Sequence, residues 1–319
     1  MRLFLCEKPS QGKDIAMAIG ARQRRDGFYE GGGNVVTWCI GHLVETAPPD
    51  AYDPELKKWS LDSLPIVPRD WRVVVKPKTA KQFKVIKSLL GKASELVIAT
   101  DADREGEMIA RELLELCGYR GKVSRLWLSA LNEPSIRKAM ADIRPGSSTE
   151  RMYFSALGRS RADWLIGMNL TRLFTLLGQR AGYDGVLSVG RVQTPTLKLV
   201  ADREREVTNF VPVPFWVVLV QLSTQTGSFT ATWVCPEDLG DERGRCTNQQ
   251  VAHQAAAAIQ AAGMAQVTAV TVKRVRENPP LPYELGELQK VCSARFGMGA
   301  QKTLDTVQAL YETHKIVTY

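Results

Sequence analysis

Asp101, Asp103 and Glu105 stand two residues apart, just after the apolar run Leu96-Val97-Ile98-Ala99. Extended backbone sends alternate side chains to one side, so this spacing aims all three carboxylates the same way. Three like charges on one side repel, and a divalent cation between them relieves the repulsion. The chemistry implied is magnesium-dependent work on phosphates. A plainer reading is equally open. Acids after a strand often cap the next helix, where the positive end of the helix dipole favours them. Glu107-Met108-Ile109-Ala110-Arg111-Glu112-Leu113-Leu114 is helical by pattern, and Glu105 and Glu107 would open that helix.

A second group favours the cation. Glu7-Lys8-Pro9-Ser10 follows the short apolar run Leu3-Phe4-Leu5. In open α/β sheets, functional groups gather beyond the carboxyl ends of the strands. Were the two strands neighbours, Glu7 would face Asp101 and Asp103 and complete a magnesium site. Lys8 would add a positive charge for a phosphate oxygen.

The elements needed to position these residues are legible along the first 140 or so residues, where strand-like and helix-like stretches alternate. After the strand at Leu3–Leu5, a helix is expected from Ser10, as N-cap, to Ala21. Phe28–Glu30 and Asn34–Trp38 flank Gly31-Gly32-Gly33 and predict a hairpin. A helix over Lys81–Leu90 precedes the strand that ends before Asp101. Val123–Leu128 predicts another strand, and Asn132-Glu133-Pro134 starts another helix. Alternation of this kind predicts a largely parallel sheet in an α/β domain.

Arg144-Pro145-Gly146-Ser147-Ser148 reads as a linker, and Thr149 to Leu177 then carries long helical periodicity. A helix is expected near Gln193–Arg205, antiparallel strands at Phe215–Gln221 and Phe229–Val234, an Ala-rich helix at Gln249–Ala262 and a strand at Val267–Val272. Pro279-Pro280-Leu281-Pro282 marks another boundary, followed by helices near Glu284–Phe296 and Gly299–Tyr311. The expected segments are therefore 1–145, 146–212, 213–278 and 279–319.

Composition sets outer bounds. The 319 residues suggest about two to four domains, and 44% hydrophobic with 24% charged residues is ordinary for a globular protein with a sizeable core. No apolar stretch reaches the roughly 18 residues of a spanning helix, and the N-terminus is not a signal peptide. The six scattered cysteines, without a Cys-x-x-Cys pair, argue against zinc or a disulfide framework and for a cytosolic setting. The net charge of +8 favours a polyanionic partner. Arg151, Arg159, Arg161, Arg172, Arg180 and Arg191 crowd a stretch poor in acids, which reads as a phosphate-contacting surface.

Taken together, these motifs resemble a known family. Glu7-Lys8-Pro9-Ser10 with Asp101-Ala102-Asp103-Arg104-Glu105-Gly106-Glu107 is similar to the Toprim domain of type IA DNA topoisomerases. Val36–Leu43 and Arg159–Gly167 match further segments of that family, and Leu187-Ser188-Val189-Gly190-Arg191-Val192-Gln193-Thr194-Pro195 matches a particularly specific motif. The resemblance is nearest the bacterial topoisomerase III branch and covers essentially the whole chain. It implies an α/β Toprim (Rossmann-like) domain, a helical domain, a partial β-rich arch and the start of a helical tyrosine-bearing domain.

The resemblance also implies roles. Tyr319 would be the nucleophile that attacks a backbone phosphate of single-stranded or negatively supercoiled DNA, leaving a 5′-phosphotyrosyl link and a free 3′-hydroxyl. A phenol with pKa about 10 needs electrostatic help to do this near neutrality. Lys8 would stabilise the charge that develops or protonate the leaving oxygen, and Glu7 would act as acid, base or metal ligand. Asp101 and Asp103 would hold Mg2+ with Glu105 in support. Arg159, Asp163, Ser188, Val189, Gly190, Arg191, Val192 and Gln193 would line the DNA groove. Trp59, Trp164 and Arg172 are secondary candidates for stacking or phosphate contact, with core packing as the alternative.

The bond energy stays in the covalent link, so no ATP is expected, and no Gly-x-x-x-x-Gly-Lys loop is present. The expected setting is a monomer in the bacterial cytoplasm, associated with the nucleoid and not with membrane. Family members continue past the tyrosine, with an arginine two positions on and the returning half of the arch. This chain is therefore expected to be impaired in strand passage. A fragment that binds single-stranded DNA and magnesium without turnover is the alternative, and another Toprim enzyme such as a primase or nuclease fits the Leu187–Pro195 motif poorly.

Overall fold

The computed structural model describes residues 1–318, so the expectation placed on Tyr319 lies outside the described residues. Strand β1 (Arg2–Cys6) is followed by helix α1 (Pro9–Ala18), strands β2 (Gln23–Arg25), β3 (Phe28–Gly31) and β4 (Asn34–Trp38), and a small pair, β5 (Val44–Thr46) with β6 (Val73–Val75). Helix α2 (Ala80–Leu90), β7 (Glu95–Ala99), α3 (Arg104–Cys117), β8 (Lys122–Arg125), α4 (Glu133–Ala141) and β9 (Arg144–Pro145) complete the sheet domain. The strand order is β2-β3-β4-β1-β7-β8-β9. Strands β4, β1, β7 and β8 run parallel, and the pairs β2–β3, β3–β4 and β8–β9 are antiparallel.

The apolar pattern explains this layering. Leu3, Phe4, Leu5 and Cys6 of β1 are all fully buried, as a parallel strand covered on both faces requires. Leu3 and Leu5 pack with Ile86 of α2 and with Ile109 and Leu113 of α3. Phe4 and Cys6 face the other way, towards Ile15 of α1 and Ile136 of α4. The hairpin forms as its glycines predict. Gly31 pairs with Asn34, and Gly32 and Gly33 take φ of 59° and 79°, which a tight two-residue turn demands.

Several boundaries differ from the sequence expectations. Ser10 is not the N-cap of α1: Lys8 is, and Pro9 supplies the first helical residue, where its missing N–H does no harm. Arg144-Pro145 is not a linker but the edge strand β9, paired with β8. Gly146 closes the join, because a Cβ there would stand 2.7 Å from Val123 Cγ1 and 2.9 Å from the Val123 carbonyl oxygen.

Helix α5 (Glu150–Arg180) runs three residues past the expected end at Leu177. Helix α6 (Gln193–Thr208), strands β10 (Leu219–Thr224) and β11 (Gly227–Thr232), α7 (Gln249–Ala262), α8 (Leu285–Phe296) and α9 (Ala300–Ala309) complete the described elements. Val267–Val272 forms no strand. Its alternation is strand-like, but among the described residues no neighbouring strand offers it a ladder, so its backbone stays irregular.

The chain divides into two compact units. One comprises residues 1–196 together with 282 onward, and the other residues 197–281. The second unit holds the β10–β11 hairpin and α7, with a small core of Cys235, Cys246 and Ala252 packed with Trp216 and Trp233.

Candidate active site

Strands β1 and β7 are parallel neighbours in register, with Cys6 opposite Ala99, so the residues that follow emerge side by side. Asp101 N–H donates to Glu7 Oε2 at 3.2 Å. Lys8 Nζ lies 3.3 Å from Asp101 Oδ2 and 3.3 Å from Glu312 Oε1. Burial, and then the charge of Asp101, push the Glu7 carboxyl up to about 7; the Asp101 N–H and Lys8 oppose this, and Asp103 adds to it. Burial alone would lower the Lys8 pKa, but Asp101, Glu7 and Glu312 outweigh it, and the ammonium is held charged.

The acidic triplet does not point one way, which corrects the expectation drawn from its spacing. The strand ends at Ala99 and the backbone bends between Thr100 and Asp103, which is the N-cap of α3 and accepts the Gly106 N–H at 2.7 Å. Glu105 already lies in the first helical turn and meets His42, in the loop between β4 and β5. His42 sits between Glu105 and Glu112, 2.7 Å from each. Burial opposes a charged His42, yet Glu112 and Glu105 together raise its pKa. The helix-end reading holds for Asp103, which caps α3, while Glu7 and Asp101 stand together as an acid pair.

Among the described residues, no three His, Cys, Asp or Glu side chains are grouped as a ready-made metal cluster. The donor set nevertheless fits a hard cation. Glu7, Asp101 and Asp103 would supply the oxygens, and burial, then the charge of Asp101, raises the Glu7 carboxyl. Glu105, turned to His42, is not grouped with them.

What holds the Thr100–Asp103 turn was not foreseen from the sequence. Arg125 is fully buried and donates through Nη1 to the carbonyls of Ile98, Thr100 and Leu126, and through Nη2 to that of Asp101. Its Nε lies 2.7 Å from Oε1 of buried Glu107, whose other oxygen accepts from Arg111 Nε at 2.8 Å. Gly106 sits directly under the Asp101 carbonyl, where any Cβ would overlap it. The signals were present as an arginine inside an apolar strand pattern and an acid on the buried side of a helix. Gln11, which joins Glu7 to Asp101, is a third such residue.

The segment leading to residue 319 docks on the same sheet domain. Beyond α9 the helix widens into a π-helical turn, Leu310–His314, which buries Tyr311 in the cluster with Phe4 and Ile15. Burial, followed by Asp101 and Glu312, raises the Tyr311 phenol and keeps it neutral. Lys315 then takes φ of 58° and pairs with Asp14 of α1 at 2.6 Å, while Glu312 reaches Lys8. His314 ends the π-helical turn.

The residues expected in a DNA groove lie along α5 and the loop after it. Arg191 grips Asp163 through Nε and Nη2, and Arg159 approaches the same carboxylate at 3.8 Å. Thr171 Oγ1 accepts the Val189 N–H at 2.9 Å, Thr194 Oγ1 accepts the Gly190 N–H at 3.0 Å, and Gln193 donates to Ser188 Oγ at 2.8 Å. These bonds staple the Ser188–Gln193 loop to the helices and leave Val192 exposed.

Three secondary candidates are engaged inside the fold instead. Trp164 is buried, donates to the Ala47 carbonyl at 3.2 Å and packs edge-on against Tyr52 and Trp71. Arg172 is buried, donates to the Leu56 carbonyl and lies over the Trp59 ring. A cleft of about 750 Å³ runs between the sheet domain and α5, lined by His42, Trp71, Glu105, Tyr153, Arg159 and Asp163 among others.

A family model described as DNA topoisomerase matches residues 147–319, and one described as Toprim domain matches residues 2–131. DNA topoisomerase 3 of Salmonella typhimurium is 45% identical over the whole chain, which covers 50% of that protein. DNA topoisomerase 3 of Bacillus subtilis is 39% identical over 99% of the chain, with 42% of that protein covered. The chain thus spans about half the length of the curated relatives it matches. Full-length topoisomerase I from Thermotoga maritima shares the fold with a TM-score of 0.64 at 24% identity, over 99% of this chain and 48% of that one.

Proposed function

This chain belongs to the DNA topoisomerase family, and from that premise we propose that it cleaves and rejoins single-stranded DNA by the type IA route. The observation that carries the reading is Lys8. One ammonium touches Asp101 on the sheet edge and Glu312 on the segment that leads to residue 319. A cation in that place balances acid on one side and meets the incoming phosphate on the other.

In the proposed reaction the Tyr319 oxygen forms a bond to a backbone phosphorus, and the bond from that phosphorus to the 3′-oxygen breaks. The tyrosine gives up its proton, and the leaving 3′-oxygen takes one. Lys8 stabilises the charge on the phosphoryl oxygens, and Glu7, pushed up to about 7, is poised to hold or release a proton near neutrality. Toprim domains bind metal, and the ion proposed here is magnesium, held by Glu7, Asp101 and Asp103. When bound it neutralises charge on phosphate oxygens. Arg159 and Arg191, braced by Asp163, contact phosphates of the strand, and the Ser188–Gln193 loop positions it. The phosphotyrosyl link conserves the bond energy, so rejoining needs no ATP. The substrate is single-stranded or negatively supercoiled DNA, met in the bacterial cytoplasm by a monomer. Among the described residues no helix is long and apolar enough to cross a membrane.

The test is a denaturing gel after incubation with a labelled single-stranded oligonucleotide and Mg2+. A shifted protein–DNA band that disappears in Tyr319→Phe supports the reading. Oligonucleotide binding with no such band would make this chain a DNA-binding module instead, and relaxation of negatively supercoiled plasmid tests strand passage separately.

A further inference from the structure

Glu7 N–H donates to Gln11 Oε1 at 2.8 Å, Gln11 Nε2 donates to Asp101 Oδ1 at 3.0 Å, and Asp101 N–H donates to Glu7 Oε2 at 3.2 Å. These three bonds close a ring across the carboxyl ends of β1 and β7. Gln11 is 1% exposed, in the first turn of α1, so neither of its amide atoms has water as a ready alternative partner.

An amide side chain suits this place. One end must accept from a backbone N–H while the other donates to a carboxylate, which an amide does and an ionised acid cannot. An apolar side chain of the same length would leave a buried N–H and a buried carboxylate oxygen without partners.

The ring also fixes which oxygens remain available. With Oδ1 held by Gln11, Asp101 turns Oδ2 to Lys8. With Oε2 held by the Asp101 N–H, Glu7 keeps Oε1 outside the ring. We infer that Gln11 is a positioning residue: it touches neither DNA nor metal, and it sets the orientation of the Glu7–Asp101 pair through a cooperative hydrogen-bonded ring. The inference rests on the strand-transfer reading above for its consequence, but the ring itself can be tested without DNA.

The variants are Gln11→Met, which keeps length and loses both bonds, and Gln11→Asn, which keeps the amide but is one methylene too short to span both partners. Amide hydrogen exchange, read by NMR on the full chain, follows Glu7 N–H and Asp101 N–H. The critical signal is Asp101 N–H, which does not touch Gln11. Its exchange is expected to quicken about tenfold in both variants, because opening the ring frees the Glu7 carboxylate that accepts it. In parallel, Mg2+-dependent cleavage of the oligonucleotide should fall about tenfold or more, with the oligonucleotide Kd within about twofold of the parent protein.

Unchanged Asp101 exchange in the folded variants would overturn the ring. Faster exchange with wild-type cleavage would overturn the positioning role. If the unsubstituted chain gives no covalent band, the strand-transfer reading fails, and the exchange measurement still decides the ring. Should Gln11→Met fail to fold, the polar and smaller Gln11→Asn carries the same two readouts.

Discussion

Gly106→Ala sets two physical effects of opposite sign against each other. Gly106 is helical, near the start of α3, and replacing Gly by Ala in a helix stabilises by about 1 kcal/mol on propensity alone, less near an end. The added Cβ, however, would overlap the Asp101 carbonyl oxygen and stand 3.1 Å from the Asp101 backbone C and N. A carbon and a carbonyl oxygen in ordinary contact are about 3.3 Å apart, so relieving the overlap requires the turn and the helix to part by about 1 Å. Neither side yields easily. Arg125 holds the Asp101 carbonyl from beneath, and Asp103 ties the Gly106 N–H.

Overpacking of this kind costs about 1–3 kcal/mol, and losing the Asp103 cap about 1 more. Against the propensity gain, the net destabilisation is about 2 kcal/mol, which lowers the melting temperature by about 4–8 °C. The loss in cleavage should be larger, about 100-fold, because a 1 Å displacement of Asp101 moves it relative to Glu7 and Lys8. Thermal unfolding and the covalent-adduct gel measure the two effects on the same protein. A variant as stable as the parent that cleaves at the parent rate would refute the argument that the turn geometry positions the acids.

Arg125→Met should destabilise by about 3–5 kcal/mol, since it leaves buried Glu107 with Arg111 as its remaining partner and takes the donor from several buried carbonyls; equilibrium urea unfolding checks this, and a change within about 1 kcal/mol would contradict it. The Glu7 carboxyl, raised to about 7 in the fold, contributes stability that is complete below the ordinary carboxylate range and is lost as pH rises through about 7. A cation needs the ionised form, so the melting-temperature gain from Mg2+ should grow across that same window and flatten in Glu7→Gln, as followed by thermal shift from pH 5 to 8.5. Arg191→Ala should weaken oligonucleotide binding and reduce the slope of log K against log salt by about 0.7, while changing stability by less than about 1 kcal/mol, because its pair with Asp163 is exposed. An unchanged salt slope in fluorescence titrations would remove Arg191 from the phosphate-contacting surface.

Much of this molecule is legible in its sequence, and for local reasons. The continuous apolar runs at Leu3–Leu5 and Leu96–Ala99 can be satisfied only as buried strands, and Gly32-Gly33 between alternating residues can do little but turn. Asn132 before Glu133-Pro134 caps α4 as its type and position require. The pairing of Glu7 with Asp101 follows from the same logic, since adjacent parallel strands of matched length end together.

The tertiary structure decided what side-chain spacing alone left open. A spacing of two projects residues to one side only while the backbone stays extended. Asp103 stops being part of that series when its side chain caps α3, and Glu105 leaves it when the helix turns it towards His42. Trp164 and Arg172 could have faced solvent on α5, and the aromatic residues packed against them decided otherwise. Gln11, Arg125 and Glu107 carry no motif at all. Their roles exist only because folding brings the ends of β1, β7 and β8 within hydrogen-bonding distance, where a buried polar group must find a partner. The sequence by itself thus determined the sheet, its edge and the acids upon it, while packing determined which acids stay together and which residues hold them there.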